Sequence, residues 1–209
     1  MKQTIFPSVM AKNEEELMVL LKKLKGVAKT LHLDVADGKF VHSNSLDFYL
    51  TLPKTFTYTA HLMMEQPQPW IEKYGKQMKL CIPHLSAIRN LSGHIAWMKR
   101  MNLPMALALT PDETIDKITP YLQEMEYILI LTVHPGFYGS PYVKSELQKI
   151  PALKAINPKL KVIVDGGMNP QTIKGAKKAG ADYFVSGSYV TLSNEPKKAM
   201  QMLKKVIGG

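Results

Sequence analysis

The chain has 209 residues, 45% of them hydrophobic, which is enough to bury the core of one domain. Its 27 Lys and Arg residues against 17 Asp and Glu residues give a formal charge of +10, which favours an anionic partner: a nucleic acid, a membrane surface or a small phosphorylated metabolite. The one cysteine, Cys81, excludes an intramolecular disulfide and a metal site made of several thiolates.

We expect a cytoplasmic protein made of one domain that covers residues 1–209. The N-terminal sequence MKQTIFPSVM lacks the long apolar run of a signal peptide, and no segment reaches the ~20 apolar residues that span a bilayer. No low-complexity tract, linker or shift of composition marks a domain boundary.

Short β-branched or apolar segments alternate with amphipathic segments, which is typical of repeated βα units around a parallel sheet. The predicted strands are Thr4–Val9, Leu31–Val35, Thr57–Met63, Lys79–Pro83, Met105–Thr110, Tyr127–Val133, Lys161–Asp165 and Tyr183–Ser186. The predicted helices are Glu14–Lys25, Leu46–Leu52, Pro69–Tyr74, Ala87–Met101, Pro111–Gln123, Tyr142–Ile156, Pro170–Ala179 and Glu195–Ile207. Eight strands, each followed by a helix, predict an α/β fold, a single-domain (β/α)₈ TIM barrel. The alternative is an open doubly wound sheet, but no G-x-G-x-x-G follows the first strand to support it.

Polar and titratable residues concentrate at the C-terminal ends of the predicted strands, where barrels of this type place their active sites. His32 and Asp34 are two apart on one strand and therefore share a face. His61 ends the next strand and Asp165 ends the seventh, so two imidazoles and two carboxylates would converge at the barrel mouth. Any one of these histidines alone would favour an ordinary hydrogen-bonded polar residue. Together they predict a site for Zn²⁺, Fe²⁺, Mn²⁺ or Co²⁺.

Asp34 and Asp165 on opposite sides of a bound substrate would also make an acid/base pair. One carboxylate can take a proton from one face of a carbon while the other returns a proton to the opposite face. A metal would hold the oxygens of the developing enediolate. The alternative is that both aspartates are ligands only.

Glycines and a serine follow the last two strands, where such barrels often hold a phosphate on backbone N–H groups. These residues are Gly166, Gly167, Gly187 and Ser188. The segment from Gly136 to Gly139 after the sixth strand would add N–H donors or cover the site. Each glycine pair alone is also compatible with an ordinary turn.

Five motifs at strand ends, in order and over nearly the whole chain, resemble those of the ribulose-phosphate 3-epimerase family. They are Leu31–Val41, His61–Met63, Val133–Phe137, Val164–Gly167 and Gly187–Ser188, and Pro7-Ser8 resembles a sixth.

The resemblance implies a (β/α)₈ barrel with one divalent metal, Zn²⁺ as first choice, bound by His32, Asp34, His61 and Asp165, with the two aspartates as acid and base. It implies inversion at C3 of a phosphorylated ketose, D-ribulose 5-phosphate to D-xylulose 5-phosphate, through a metal-stabilised enediolate. The expected substrate contacts are Ser8, His32, His61, Met63, Gly136, Phe137, Gly139, Asp165, Gly166, Gly167, Gly187 and Ser188.

The chain departs from the family pattern in the walls around the predicted metal. Ala36 and Leu131 stand where the family has methionines, and Tyr138 and Ser140 change the loop after the sixth strand. His84-Leu85-Ser86 stands where a His-x-Glu is expected. These changes leave the metal set whole, so the reaction type is better supported than the identity of the ketose.

Other functions remain as alternatives to this prediction. A hexulose-phosphate 3-epimerase, for example one acting on allulose 6-phosphate, would use the same mechanism, and a phosphosugar-binding barrel without turnover is the alternative from outside the enzymes. Decarboxylation or aldol cleavage on related barrels needs a lysine where Ala36 stands. The Lys-rich helices predict solvated faces, since aromatics are not interleaved with them, so we expect no nucleic-acid and no membrane partner. The sequence is compatible with a homo-oligomer.

Overall fold

The computed structural model describes residues 4–136 and 139–208. In this part of the chain the strands are β1 (Thr4–Val9), β2 (Thr30–Asp37), β3 (Asn44–Ser45), β4 (Thr57–Met63), β5 (Leu80–Pro83), β6 (Ala106–Leu109), β7 (Tyr127–Leu131), β8 (Lys161–Asp165) and β9 (Tyr183–Ser186). The α-helices are α1 (Glu14–Leu24), α2 (Gln68–Tyr74), α3 (Leu91–Arg100), α4 (Lys149–Ile156), α5 (Thr172–Ala179), α6 (Ser188–Thr191) and α7 (Pro196–Val206). Short 3₁₀ helices cover Gly75–Gln77, Leu85–Ala87, Thr119–Glu124 and Lys144–Gln148.

Eight of the strands form a nearly closed parallel barrel. Their order is β5-β4-β2-β1-β9-β8-β7-β6, and β3 pairs antiparallel with the end of β2. The two end strands meet through a parallel bridge between His84 and Ala108. The predicted single-domain TIM barrel is therefore confirmed, and the open doubly wound sheet is excluded.

Alternate residues along each strand face the barrel interior and the surrounding helices. On β7, Tyr127, Leu129 and Leu131 pack inside the barrel, whereas Ile128 and Ile130 pack in the layer between strands and helices. On β2 the outer layer takes Leu31, Leu33 and Val35. This alternation turns the polar residues between those three apolar ones towards the barrel interior.

The predicted helix Leu46–Leu52 is wrong, because this segment has no helical conformation in the structure. Leu46 has a positive φ of 55°, and its backbone N–H donates to the carbonyl of Ala11 at 2.8 Å. A left-handed residue bonded to another part of the chain cannot begin an α-helix. Tertiary contacts thus outweigh the local apolar pattern here.

The predicted helix Pro111–Gln123 is also wrong, since only its end forms a 3₁₀ helix, Thr119–Glu124. Pro120 has no N–H to donate and disfavours a helical Thr119. The Glu113 carboxylate instead accepts hydrogen bonds from the backbone N–H and the hydroxyl of Thr110, which closes a turn.

Two asparagines decide where helices on the outside of the barrel begin. Asn13 accepts a hydrogen bond from the N–H of Glu16 at 2.9 Å and starts α1, and Asn90 accepts one from the N–H of Gly93 and starts α3. Asn90 therefore explains why α3 begins at Leu91 rather than at Ala87 as predicted. Within the described residues, no helix is long and apolar enough to cross a membrane.

Candidate metal centre

Three strands bring two histidines and two aspartates together at the mouth of the barrel. Asp34 on β2 lies directly opposite His61 on β4, and His32 precedes Asp34 by two residues on the same face. Asp165 ends β8, which is separated from β2 by β1 and β9 in the barrel. The curvature of the barrel closes this gap.

The four side chains lie close enough to bind one ion. One ligand atom from each of the four residues lies within 4.8 Å of the others. Asp34 Oδ1 is 3.3 Å from His61 Nδ1 and 3.7 Å from His32 Nε2. Asp165 Oδ2 is 3.6 Å from His61 Nδ1 and 3.8 Å from His32 Nε2. The carboxylates retain slight exposure, 10% and 13%, and both histidines are buried, so the cluster opens to solvent on its aspartate side.

The hydrogen bonds of His32 leave one ring nitrogen free for a metal. Its Nδ1 lies 2.8 Å from the Thr59 hydroxyl oxygen, and that hydroxyl is 3.5 Å from the carbonyl of Leu31. The hydroxyl has one proton, which it donates to the carbonyl, so it accepts from His32 Nδ1–H. His32 Nε2 then carries a lone pair, is buried and has no hydrogen-bond partner among the described residues. A buried lone pair that faces two carboxylates fits a metal ligand.

His61 is held from behind by a third histidine. Its Nε2 lies 2.8 Å from Nε2 of His84, and the two ring centroids are 4.8 Å apart. His84 follows β5 at the bridge that closes the barrel, and it is fully buried. The opposite nitrogen of His61, Nδ1, therefore faces the two carboxylates.

Burial makes the cluster electrostatically incomplete. It raises the pKa of Asp165 well above its ordinary value, the neighbouring charge of Asp34 raises it further, and a hydrogen bond from the Gly166 N–H opposes this shift. Burial also lowers the pKa of His32 to about 4, against the opposing effect of Asp34. A neutral His32 cannot balance two carboxylates at pH 7, so Asp165 keeps a proton unless a divalent cation displaces it.

A pocket above the cluster collects most of the residues expected to contact substrate. Its lining includes Ser8, Asp34, His61, Met63, Gly136, Gly139, Asp165, Gly166, Gly167, Gly187 and Ser188. His32 is buried and does not line this pocket. Phe137 and Tyr138 lie outside the described residues. Among the residues that the structure describes, the lining contains no lysine or arginine.

The turn after β8 requires glycine for steric reasons. A Cβ on Gly166 would lie 2.6 Å from Cγ2 of Val133, and its φ is +108°. Gly167 also has a positive φ, and its carbonyl accepts a hydrogen bond of 2.6 Å from the Thr172 hydroxyl. The backbone here is therefore fixed against the pocket. The short helix α6 follows β9 on the same side, a common feature of phosphate-binding barrels.

One carboxylate that the sequence analysis did not single out organises two loops beside the cluster. Asp37 accepts hydrogen bonds from the backbone N–H groups of Lys39, Phe40 and Glu65 at 2.8 to 2.9 Å. Burial alone would raise the pKa of Asp37, but these hydrogen bonds lower it below its ordinary value. Asp37 thus joins the loop after β2 to the loop after β4. Its position after a strand end was the available signal.

The departures from the family pattern lie in the pocket wall. Ala36 is paired with Met63 across β2 and β4, and Leu131 and Ser140 line the pocket. A larger groove of about 910 Å³ lies beside the mouth between α2 and α3, and His94 and Trp97 are in its lining. The four clustered residues do not line this groove.

Comparison with known proteins connects this arrangement to a family. Residues 4–191 match the profile of the "Ribulose-phosphate 3 epimerase family". A ribulose-phosphate 3-epimerase from Eremothecium gossypii is 28% identical over 97% of this chain and 92% of its own length. The ribulose-phosphate 3-epimerase named as the cytoplasmic isoform of Oryza sativa is 30% identical over 87% of this chain and 84% of its own length.

Solved structures agree with the fold. KGPDC from Streptococcus mutans, solved in complex with a phosphosugar, superposes with a TM-score of 0.72 at 12% identity, covering 99% of this chain and 97% of that chain. At this identity the likeness concerns the barrel alone.

Proposed function

The chain belongs to the ribulose-phosphate 3-epimerase family and is an epimerase acting on carbohydrates, and from this we propose that it inverts C3 of a phosphorylated ketose in a metal-dependent reaction. The substrate that we propose is D-ribulose 5-phosphate, with D-xylulose 5-phosphate as product. The observation that carries the proposal is the group of four ligand atoms within 4.8 Å at the barrel mouth.

We propose that His32, Asp34, His61 and Asp165 hold one divalent cation, Zn²⁺ first and otherwise Fe²⁺, Mn²⁺ or Co²⁺. Two nitrogens and two oxygens without a thiolate suit these ions. The free lone pair of His32 Nε2 supports this choice. When bound, such a cation stabilises negative charge that develops on substrate oxygens.

Asp34 and Asp165 would act as the acid and the base of the inversion. They come from strands that are separated by β1 and β9 and meet at the same site. One carboxylate at each face of C3 lets a proton leave from one side and return from the other. The raised pKa of Asp165 supports its role as the group that starts protonated, and the ionised Asp34 would then start as the base.

The phosphate would be held by backbone N–H groups around Gly167, Gly187 and Ser188 rather than by a basic clamp. These residues line the pocket, and no lysine or arginine lines it among the described residues. Backbone N–H groups at a glycine turn can approach a phosphate closely. The name of the Streptococcus mutans complex supports a phosphosugar ligand for this type of barrel. The name of the rice relative supports a cytoplasmic location.

A hexulose 6-phosphate is the second candidate substrate, because Ala36 is small where the family pattern has methionine, beside Met63 in the register. A larger ketose would use the space that a methionine would fill. The reaction at C3 and the four clustered residues would be the same.

A coupled turnover assay across phosphorylated pentuloses and hexuloses tests the proposal, on protein of measured metal content. We expect D-ribulose 5-phosphate to be turned over with the highest kcat/KM, and chelator-treated protein to lose activity that zinc restores. A higher kcat/KM for a hexulose 6-phosphate would reassign the substrate. Metal-loaded protein that turns over no phosphoketose would contradict the proposal and favour a binding role.

A further inference from the structure

His84 lies directly behind His61, on the side away from the two carboxylates. The two Nε2 atoms are 2.8 Å apart, and the rings are tilted by 34°. His84 is fixed in place by the bridge to Ala108, and its carbonyl accepts a hydrogen bond from the N–H of Ala87. The ring of Phe40 covers it at a centroid distance of 4.6 Å.

Proton counting permits two arrangements of this histidine pair. A hydrogen bond between two imidazole nitrogens needs one proton, which belongs to either His61 Nε2 or His84 Nε2. When His61 Nδ1 donates to Asp34 Oδ1, 3.3 Å away, the proton between the rings belongs to His84. When His61 Nδ1 binds a cation through its lone pair, the proton between the rings must belong to His61.

We propose that His84 is a positioning residue for the metal centre: its Nε2 accepts the hydrogen bond from His61 Nε2–H and so keeps the Nδ1 lone pair of His61 directed at the metal. Cation binding then changes the tautomer of both rings, and the proton of His84 moves to Nδ1. This inference rests on the proposed metal site.

The surroundings of His84 fit an acceptor for one partner. Its Nδ1 is buried and has no hydrogen-bond partner among the described residues, so His61 is the group that its ring serves. The other predicted metal-binding histidine has an equivalent arrangement, because His32 donates its second N–H to the hydroxyl of Thr59. Both histidines thus donate to uncharged acceptors, and such outer contacts orient ligands and set metal affinity.

The tautomers can be observed directly in the parent protein by long-range ¹H–¹⁵N correlation of its histidine rings. In zinc-loaded protein we expect protonated Nε2 on His61, protonated Nδ1 on His84 and unprotonated Nε2 on His84. In metal-free protein we expect the His84 proton at Nε2. A protonated Nε2 on His84 in the zinc-loaded protein would overturn the inference. This measurement requires no variant to fold.

Zinc affinity, measured by competition with a chromophoric chelator, gives an independent test. We expect His84→Phe to bind zinc about 10- to 100-fold more weakly than the parent, because His61 loses its acceptor. His84→Gln, which offers an amide oxygen, should recover part of this loss. The matched control is His94→Phe, since His94 is also buried and also without hydrogen-bond partners among the described residues, but lies on α3 outside the cluster. It should bind zinc as the parent does.

The two proposals fail in different ways. A parent protein that binds no zinc contradicts the proposed metal site. A parent that binds zinc, beside a His84→Phe variant that binds it within about twofold of the parent, contradicts only the positioning role of His84.

Discussion

Asp34 and Asp165 point into one small volume, where their negative charges repel each other. Burial adds to this repulsion and raises the pKa of Asp165 well above its ordinary value. The same pair that destabilises itself without a cation is suited to bind one and to exchange protons with a substrate. This double use separates the two aspartates from His32 and His61, which can serve the metal only.

Replacing either aspartate by asparagine should remove turnover. Asparagine keeps an oxygen for a metal but has no proton to exchange at neutral pH. We expect Asp34→Asn and Asp165→Asn each to lose at least ~10²-fold in kcat, with metal occupancy confirmed. The exposed Asp116→Asn serves as the control and should turn over as the parent does. Turnover of either active-site variant within a few-fold of the parent would leave the four residues as a metal site without the acid/base role.

His94 makes the stability of the protein dependent on pH outside the metal centre. Burial lowers its pKa to about 4 from an ordinary value of 6.5. Between these values the unfolded chain binds a proton that the folded chain does not, so the free energy of unfolding falls as the pH falls.

The expected loss from His94 is about 2 kcal/mol between pH 7 and pH 5. Urea unfolding of metal-free parent and His94→Phe at both pH values measures it. The variant should lack this share of the pH dependence. Equal losses in parent and variant would show that His94 titrates normally in the folded protein.

The loops after β2 and β4 depend on one side chain for their mutual position. Asp37 accepts three backbone hydrogen bonds from these loops, and Phe40, one of the donors, packs on His84. Asn at position 37 has a single acceptor oxygen and no charge, so it cannot replace both carboxylate oxygens.

We therefore expect Asp37→Asn to raise amide hydrogen exchange at Phe40 and Glu65 at least about tenfold, equivalent to about 1.4 kcal/mol of local stability. The control is Asp47→Asn, which changes an exposed aspartate nearby. Unchanged protection at both amides would mean that other contacts hold the two loops.

Strands proved easier to predict from the sequence than the segments between them. The bounds of β1, β4, β8 and β9 agree with the predicted ones, because short apolar runs in a barrel bury both faces. The segment from Leu46 to Leu52 and the one before Thr119 were wrong because distant backbone contacts and a proline decide their conformation.

The same reason limits what could be predicted of the candidate site. The four clustered residues stand at strand ends and could be selected from strand order alone. Thr59 and His84 act through ring orientation and through the closure of the barrel between β5 and β6, which a linear sequence does not reveal. The family resemblance is confirmed by the match over residues 4–191, whereas the extent of the domain to 1–209 stays a prediction.

Across the whole barrel, the cluster joins strands β2, β4 and β8, so a cation there would link separate parts of the sheet. A ligand that binds only the folded state stabilises it by about 2.7 kcal/mol at one hundred times its Kd. For a chain of this size we expect removal of zinc by a chelator to lower the Tm by about 5 to 10 °C. His61→Ala is the control and should show a smaller shift. A Tm that does not depend on zinc would contradict binding at this cluster.

Proton exchange at C3 of the substrate reports directly on the proposed reaction. Zinc-loaded protein is incubated with D-ribulose 5-phosphate in D₂O and the sugar phosphates are followed by NMR. We expect D-xylulose 5-phosphate to form with deuterium at C3, because the proton returned to the second face comes from a carboxyl group that has exchanged with solvent. Neither conversion nor deuterium at C3, with zinc occupancy confirmed, would contradict a two-aspartate epimerase.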